Sequence, residues 1–271
     1  MNILFILGQI VQNVNDLPGW NLGVTGRGFS VEIKQNGARQ GGAERQPLIR
    51  LRGVGKDYPS PSGPFTALKN VNFDVRPGEF VAVVGKSGAG KTTLVNMITG
   101  VDHLTSGEVW IGETNVHALD ENKLALWRGR QMGVVYQSFH LLPGISLLDN
   151  VMLPIDFCGA FRPRQSRERA MTLLREVGLE EHANKLPGQI SGGQQQRVAI
   201  ARALANDPPV VVADEPTGRL DSLTAEVIFE IFQNMVSQGK TIVMVTHDSS
   251  LVRRVTRAVT IRDGELDENG A

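Results

Sequence analysis

The stretch Gly85-Lys86-Ser87-Gly88-Ala89-Gly90-Lys91-Thr92 constrains this chain more than any other. Before it lies the apolar, β-branched run Phe80-Val81-Ala82-Val83-Val84, suited to a buried parallel strand; after it, residues 91–99 read as a helix. Strand, glycine loop and helix in that order bring bare backbone N–H groups to a helix start, where negative charge is stabilised. The loop fits G-x-x-x-x-G-K-[ST] at every position. Its glycines let the backbone wrap a phosphate. Lys91 then reaches the β and γ phosphates, the Thr92 hydroxyl binds Mg²⁺ and Thr93 donates to the α-phosphate. The pattern predicts nucleotide binding.

Downstream, Val210-Val211-Val212-Ala213 ends on Asp214 and Glu215. A parallel sheet presents its carboxyl edge there, the usual ligand position in open α/β folds. An aspartate at that edge can hold Mg²⁺ through water, and Glu215 beside it can accept a proton from attacking water. Taken alone, an acidic pair after a strand is a solvated turn or a helix cap. Behind a phosphate loop it reads as part of a hydrolytic site.

A third motif lies between these two. Ser191-Gly192-Gly193-Gln194 leads into Gln195-Gln196-Arg197-Val198-Ala199-Ile200-Ala201-Arg202-Ala203-Leu204. Isolated, Ser-Gly-Gly-Gln is a flexible turn capping a helix. In this order the three motifs resemble those of ATP-binding cassette (ABC) ATPase subunits, and the likeness covers residues 48–266. The features Gln137-Ser138-Phe139-His140-Leu141-Leu142-Pro143, Asp149-Asn150-Val151-Met152-Leu153-Pro154 and Ala213-Asp214-Glu215-Pro216-Thr217-Gly218 are similar to the lipoprotein-releasing, macrolide-exporting and cell-division members.

The resemblance implies an α/β fold: a P-loop NTPase (RecA-like) core with a mostly parallel sheet, an N-terminal antiparallel β subdomain and an inserted α-helical subdomain at about 138–205. It implies ATP and Mg²⁺ as cofactors, with Thr92, Gln137 and Asp214 around the metal. It places the signature residues Ser191, Gly192, Gly193 and Gln194 against ATP held by the phosphate loop of a second subunit, Ser191 and Gly193 touching its γ-phosphate. Gln137 matches the glutamine that senses Mg²⁺ and attacking water, His247 the histidine that contacts the γ-phosphate, and Asp221 the loop that crosses the dimer interface. Tyr58 sits where an aromatic stacks on adenine, although Gly-Lys-Asp-Tyr-Pro is also an ordinary approach to a turn. The implied partners are a second ATPase subunit, with a homodimer favoured, and a separate transmembrane permease, through which the chain would sit at the cytoplasmic face of the membrane. Departures from the pattern are Arg219 where a small polar residue is usual, Ile190 for leucine, and Gln189 where the residue is often acidic.

Composition fits a soluble enzyme. The chain of 271 residues can bury a sizeable core, and its 28 Lys+Arg balance 28 Asp+Glu, so no net field draws in nucleic acid or an anionic membrane. The single cysteine, Cys158, excludes an internal disulfide and sits in an apolar segment, where it reads as a small buried residue. No apolar run approaches the length needed to span a bilayer.

Residues 1–46 lack a sustained period and read as a disordered extension or a start set too far upstream, with 47–268 as the cassette. Ile3-Leu4-Phe5-Ile6-Leu7 lacks the basic start and small-residue cleavage site of an export signal, and Gly41-Gly42 with Pro47 suggests a linker. Residues 48–54 and 71–75 alternate like strands of a half-exposed antiparallel sheet, with 59–64 as their loop. Runs at Phe80, Val134, Val210 and Ile242 read as central parallel strands. Residues 146–157 and 166–177 read as amphipathic helices separated by Gly159 and Pro163. The arginines 162, 164, 167 and 169 among them read as a solvated helix start.

Overall fold

The computed structural model describes residues 46–61 and 63–267, together with a short pairing of Val24–Thr25 with Gly28–Phe29. That pairing falls in a first unit, residues 1–44, and the rest of the chain forms the main unit. The expectations for Ile3 to Leu7 and for Gly41-Gly42 lie outside the described residues.

In the main unit, β1 (Ile49–Tyr58) and β2 (Phe65–Val75) pair antiparallel, and β4 (Ser106–Ile111) and β5 (Thr114–Asn115) extend this sheet in the order β2-β1-β4-β5. A second sheet has six strands. With β3 (Phe80–Val84), β6 (Met132–Tyr136), β7 (Val210–Asp214), β8 (Thr241–Thr246), β9 (Arg257–Arg262) and β10 (Glu265–Asp267), its order is β10-β9-β3-β8-β7-β6. All its pairings are parallel except β9 with β10. The mostly parallel core and the antiparallel N-terminal sheet follow the α/β architecture that the resemblance implies.

Successive residues of a strand point to opposite faces, and here both faces are covered. Phe80, Val135, Val211, Ala213, Ile242 and Met244 face one core, while Val81, Val83, Val210, Val212, Val243 and Val245 face the other. This is why these strands read as continuous apolar runs. The second core is closed by α1 (Lys91–Thr99), by α2 (Glu121–Gln131) through Leu124, and by the antiparallel sheet through Ile49, Leu51, Val71 and Phe73. The first is closed by α3 (Leu147–Phe157), α4 (Pro163–Glu176), α5 (Gly192–Ala203) and α6 (Ser222–Ser237). Phe80 stacks on Phe229 with ring centroids 5.4 Å apart, fixing α6 to the sheet centre. Truncating such a buried phenylalanine costs about 3–5 kcal/mol.

Helix starts follow their caps. Asp120, Ser146, Ser191 and Asp221 each accept a backbone N–H of the helix they precede, at α2, α3, α5 and α6. Helix α4 begins at Pro163, earlier than the expected residue 166, because proline suits the first turn, where its missing N–H is no loss. Cys158 is buried, and its sulfur accepts from Asn206 Nδ2 at 3.3 Å. Of the four arginines, Arg164 pairs with Glu168 on an exposed face, and Arg169 donates to the Leu204 carbonyl. No helix among the described residues is long and apolar enough to cross a membrane.

Candidate nucleotide site

Strand register builds the site. Tyr136 pairs with Asp214, Asp214 with Val245, and Thr246 with Val84. Four neighbouring parallel strands therefore end level with one another. The residues that follow them, Gln137, Glu215, His247 and Gly85, emerge along a single carboxyl edge, where open α/β sheets bind ligands.

From Gly85 the loop turns into α1. Gly90 stands at the cap position with φ 104°, a left-handed conformation that a side chain strains, and a Cβ there would lie 2.6 Å from the Ala67 carbonyl oxygen. No side chain caps α1 and its first turn holds no acidic residue. Its first amides therefore present uncompensated positive charge. Lys86, Ser87 and Gly88 are exposed and Ala89 is buried, so the loop offers its backbone outward. These features fit a phosphate.

The nearly buried Lys91 ammonium donates to the Gly85 carbonyl at 2.8 Å and the Lys86 carbonyl at 3.0 Å. It also lies 3.1 Å from Glu215 Oε1, while Glu215 Oε2 meets His247 Nδ1. Glu215 itself adopts φ 48°. That left-handed turn costs a non-glycine residue about 1–2 kcal/mol, and it is pinned by Glu215 N–H on the Val245 carbonyl at 2.9 Å. Gln137 lies against Gly218: a Cβ on that glycine would meet Gln137 Nε2 at 2.6 Å and Glu215 Oε2 at 3.4 Å. Lys91, Glu215, His247 and Gln137 thus form one cluster.

Asp214, at the end of β7, accepts the Thr92 hydroxyl at 2.9 Å on Oδ2. Its other oxygen is buried with no hydrogen-bond partner among the described residues. Burial pushes its carboxyl above the usual range and the Glu215 charge adds to this, while Thr92 and Lys91 pull it down. A buried, unpaired carboxylate oxygen beside a hydroxyl is a hard-oxygen donor set suited to Mg²⁺.

The signature residues form a second group. Ser191 Oγ accepts the Gln194 N–H, and Gln194 Oε1 accepts the Ser191 N–H at 2.9 Å, closing a capping box at the start of α5. A Cβ on Gly193 would lie 2.3 Å from Thr224 Cγ2, so α5 packs closely on the first turn of α6. Asp221 caps that turn, accepting from Thr224 N–H at 3.0 Å and Thr224 Oγ1 at 2.7 Å. Arg219 is exposed on the intervening loop.

Tyr58 is the last residue of β1 and not part of a turn. Its hydroxyl donates to Asp102 Oδ2 at 2.9 Å, Thr93 is a second polar neighbour of the phenol, and Lys56 Nζ lies 4.7 Å from the ring centroid. Burial, followed by the Asp102 hydrogen bond, raises the Tyr58 pKa. Lys56 also donates to Asp102 Oδ1 at 2.9 Å. The ring is therefore tied to the segment that follows the phosphate-loop helix through Asp102, with Lys56 bridging to the same carboxylate, and no motif marks either residue.

A bare-ended helix, a loop lysine and paired carboxylates on one sheet edge define a P-loop nucleoside-triphosphatase. The family model described as ABC transporter matches residues 68–218. An uncharacterized ABC transporter ATP-binding protein of Methanocaldococcus jannaschii, MJ0796, is 45% identical over 224 residues, covering 81% of this chain and 95% of that protein. The macrolide export ATP-binding/permease protein MacB of Burkholderia lata is 43% identical over 223 residues, 82% of this chain but 32% of MacB, so this chain spans about a third of that relative. A solved dimeric structure of MJ0796 in a post-hydrolysis state, bound to ADP and Pi, superposes with a TM-score of 0.76 at 42% identity, covering 83% of this chain and all of that one. The chain belongs to the ABC transporter family, as its ATP-binding and ATP-hydrolysing cassette.

Proposed function

We propose that two copies of this chain close around two ATP molecules and part after hydrolysis, and that this movement drives a membrane permease supplied as another polypeptide. The observation that carries the reading is Glu215, held between Lys91 and His247 on the strand edge that also carries the phosphate loop. The dimeric MJ0796 structures and the joined ATP-binding and permease functions in MacB's name support the assembly.

In this reading Lys91 and the first amides of α1 hold the β and γ phosphates. Ser191 and Gly193 of the partner subunit donate to the γ-phosphate from the other side. Charge-assisted hydrogen bonds contribute about 1.5–3 kcal/mol each, so the two halves associate weakly unless a γ-phosphate joins them. Tyr58 stacks on adenine, Gly85 to Thr93 wrap the phosphates, and Gly192 and Gln194 shape the signature turn. Asp221 crosses to the partner. Water attacks the γ-phosphorus, its proton passes to Glu215, and the bond to the β-phosphate oxygen breaks, yielding ADP and phosphate. Gln137 and His247 fix the geometry of that attack. Thr92, Asp214 and Gln137 would hold Mg²⁺, which offsets charge on the phosphate oxygens.

The cassette is residues 47–268. Its helical part, about 138–205, faces the permease, which places the protein at the cytoplasmic face of the membrane. The test is a sizing experiment on the full chain with and without Mg-ATP, with phosphate release measured in parallel. Nucleotide-dependent pairing with turnover is expected. A chain that neither pairs nor releases phosphate, even beside its membrane partner, overturns the reading. Removing residues 1–42 is expected to change kcat and KM for ATP by less than about twofold; loss of activity would assign the extension to the cassette.

A further inference from the structure

Helix α5 does more than carry the signature at its start. Gln196, in its second turn, is fully buried, and its Nε2 donates to the Pro216 carbonyl at 2.8 Å. Pro216 directly follows Glu215. The amide's Oε1 has no hydrogen-bond partner among the described residues, so the side chain lowers stability at that atom while holding one carbonyl. Six residues further on, about 9 Å along the helix, Arg202 donates to the His140 carbonyl at 2.5 Å and the Phe139 carbonyl at 2.8 Å. Both residues are left-handed, with φ 50° and 37°, and lie three and two positions after Gln137. Left-handed backbone at two consecutive side-chain-bearing residues persists only where neighbours fix it. The Phe139 ring meanwhile lies against Gly192, where a Cβ would be 3.6 Å away.

We propose that Gln196 and Arg202 are positioning residues for hydrolysis, tying the loops of Glu215 and Gln137 to the helix whose start faces the partner's ATP. This rests on the roles given above to Glu215 and Gln137. Signature and hydrolytic loops of one chain then move as a unit. A signature engaged with the partner's γ-phosphate sets the geometry of water attack at the chain's own ATP.

The test is steady-state ATPase kinetics and thermal melting of full-length variants. Gln196→Met keeps the bulk and removes the amide. It is expected to lower kcat roughly tenfold to a hundredfold, as small misplacements of catalytic groups do. KM for ATP is expected to stay within about twofold, with only a small change in Tm, because the loss of the unpaired Oε1 is offset by the Pro216 carbonyl losing its donor. Arg202→Met is expected to lower kcat likewise, and Arg202→Lys to restore part of it, one ammonium replacing a two-pronged donor. Val198→Ala, a buried change in the same helix, is expected to lower Tm and leave kcat per folded chain unchanged. Wild-type kcat in Gln196→Met, or an equal kcat loss in Val198→Ala, overturns the proposal. Should Gln196→Met fail to fold, the two Arg202 variants decide: equal kcat in both and in wild type overturns it. Persistent hydrolysis in Glu215→Gln would instead remove the reading beneath it, a separate outcome.

Discussion

Glu215→Gln is expected to stop turnover while ATP stays bound. Glutamine keeps the size of the side chain and cannot accept a proton, and loss of a positioned general base lowers rates by roughly 10²–10⁴-fold. Binding should not weaken. In the wild-type chain the Glu215 carboxylate lies 3.1 Å from the Lys91 ammonium, so it competes with phosphate oxygens for that charge. A neutral amide leaves Lys91 free to meet the phosphate, so ATP affinity should equal or exceed that of wild type. With binding intact and cleavage blocked, the ATP-joined pair accumulates by mass action. Phosphate release and sizing chromatography in Mg-ATP check both halves of the expectation. Normal hydrolysis by the variant would move the base elsewhere, and His247, already in contact with Glu215, would be the next residue to test.

Elements whose information is local were legible in the chain itself. The run Phe80 to Val84, the glycine loop and the helix Lys91–Thr99 adjoin one another, and the structure places the helix ends where the pattern does. The central strands were equally plain, because burial on both faces demands apolar residues at every position. The antiparallel strands were only half legible. Their period of two is broken by register shifts between Leu51 and Val54 and again before Lys56 and Asp57, so β1 runs on to Tyr58 past the point where alternation stops. Strand β4 and helix α2 went unread. One carries Ser-Gly-Glu before its two buried residues, and the other buries Leu124 alone.

At the candidate site, the sequence reading named the motif residues and Tyr58, but not the side chains that hold them in place. Lys56 and Asp102, which hold Tyr58, lie 46 positions apart on different elements. Gln196 and Arg202 stand in a stretch recognised as the signature helix, yet the carbonyls they hold are 20 and about 60 residues away. A backbone carbonyl accepts whatever its residue type, so neither end of such a contact marks the other in the sequence.

Lys91→Ala is expected to remove nucleotide binding at ordinary ATP concentrations. The ammonium is 7% exposed and is shared among the Gly85 carbonyl, the Lys86 carbonyl and Glu215. Deleting it takes away the point charge aimed at the phosphates and leaves the Glu215 carboxylate unneutralised where anionic oxygens must sit. Removing one member of a buried charged pair costs about 3–4 kcal/mol in binding, roughly several hundredfold in Kd. The two loop carbonyls also lose their donor, so some loss of fold stability should accompany the effect. Melting curves separate the two contributions. The fold rests on apolar cores on both faces of the sheet, to which this ammonium does not belong, and should survive. Titration of the folded variant with a fluorescent ATP analogue then reads the site alone. Affinity near wild type would mean that the phosphates are held elsewhere, because no other cation among the described residues is seated inside the loop between its carbonyls and the acidic pair.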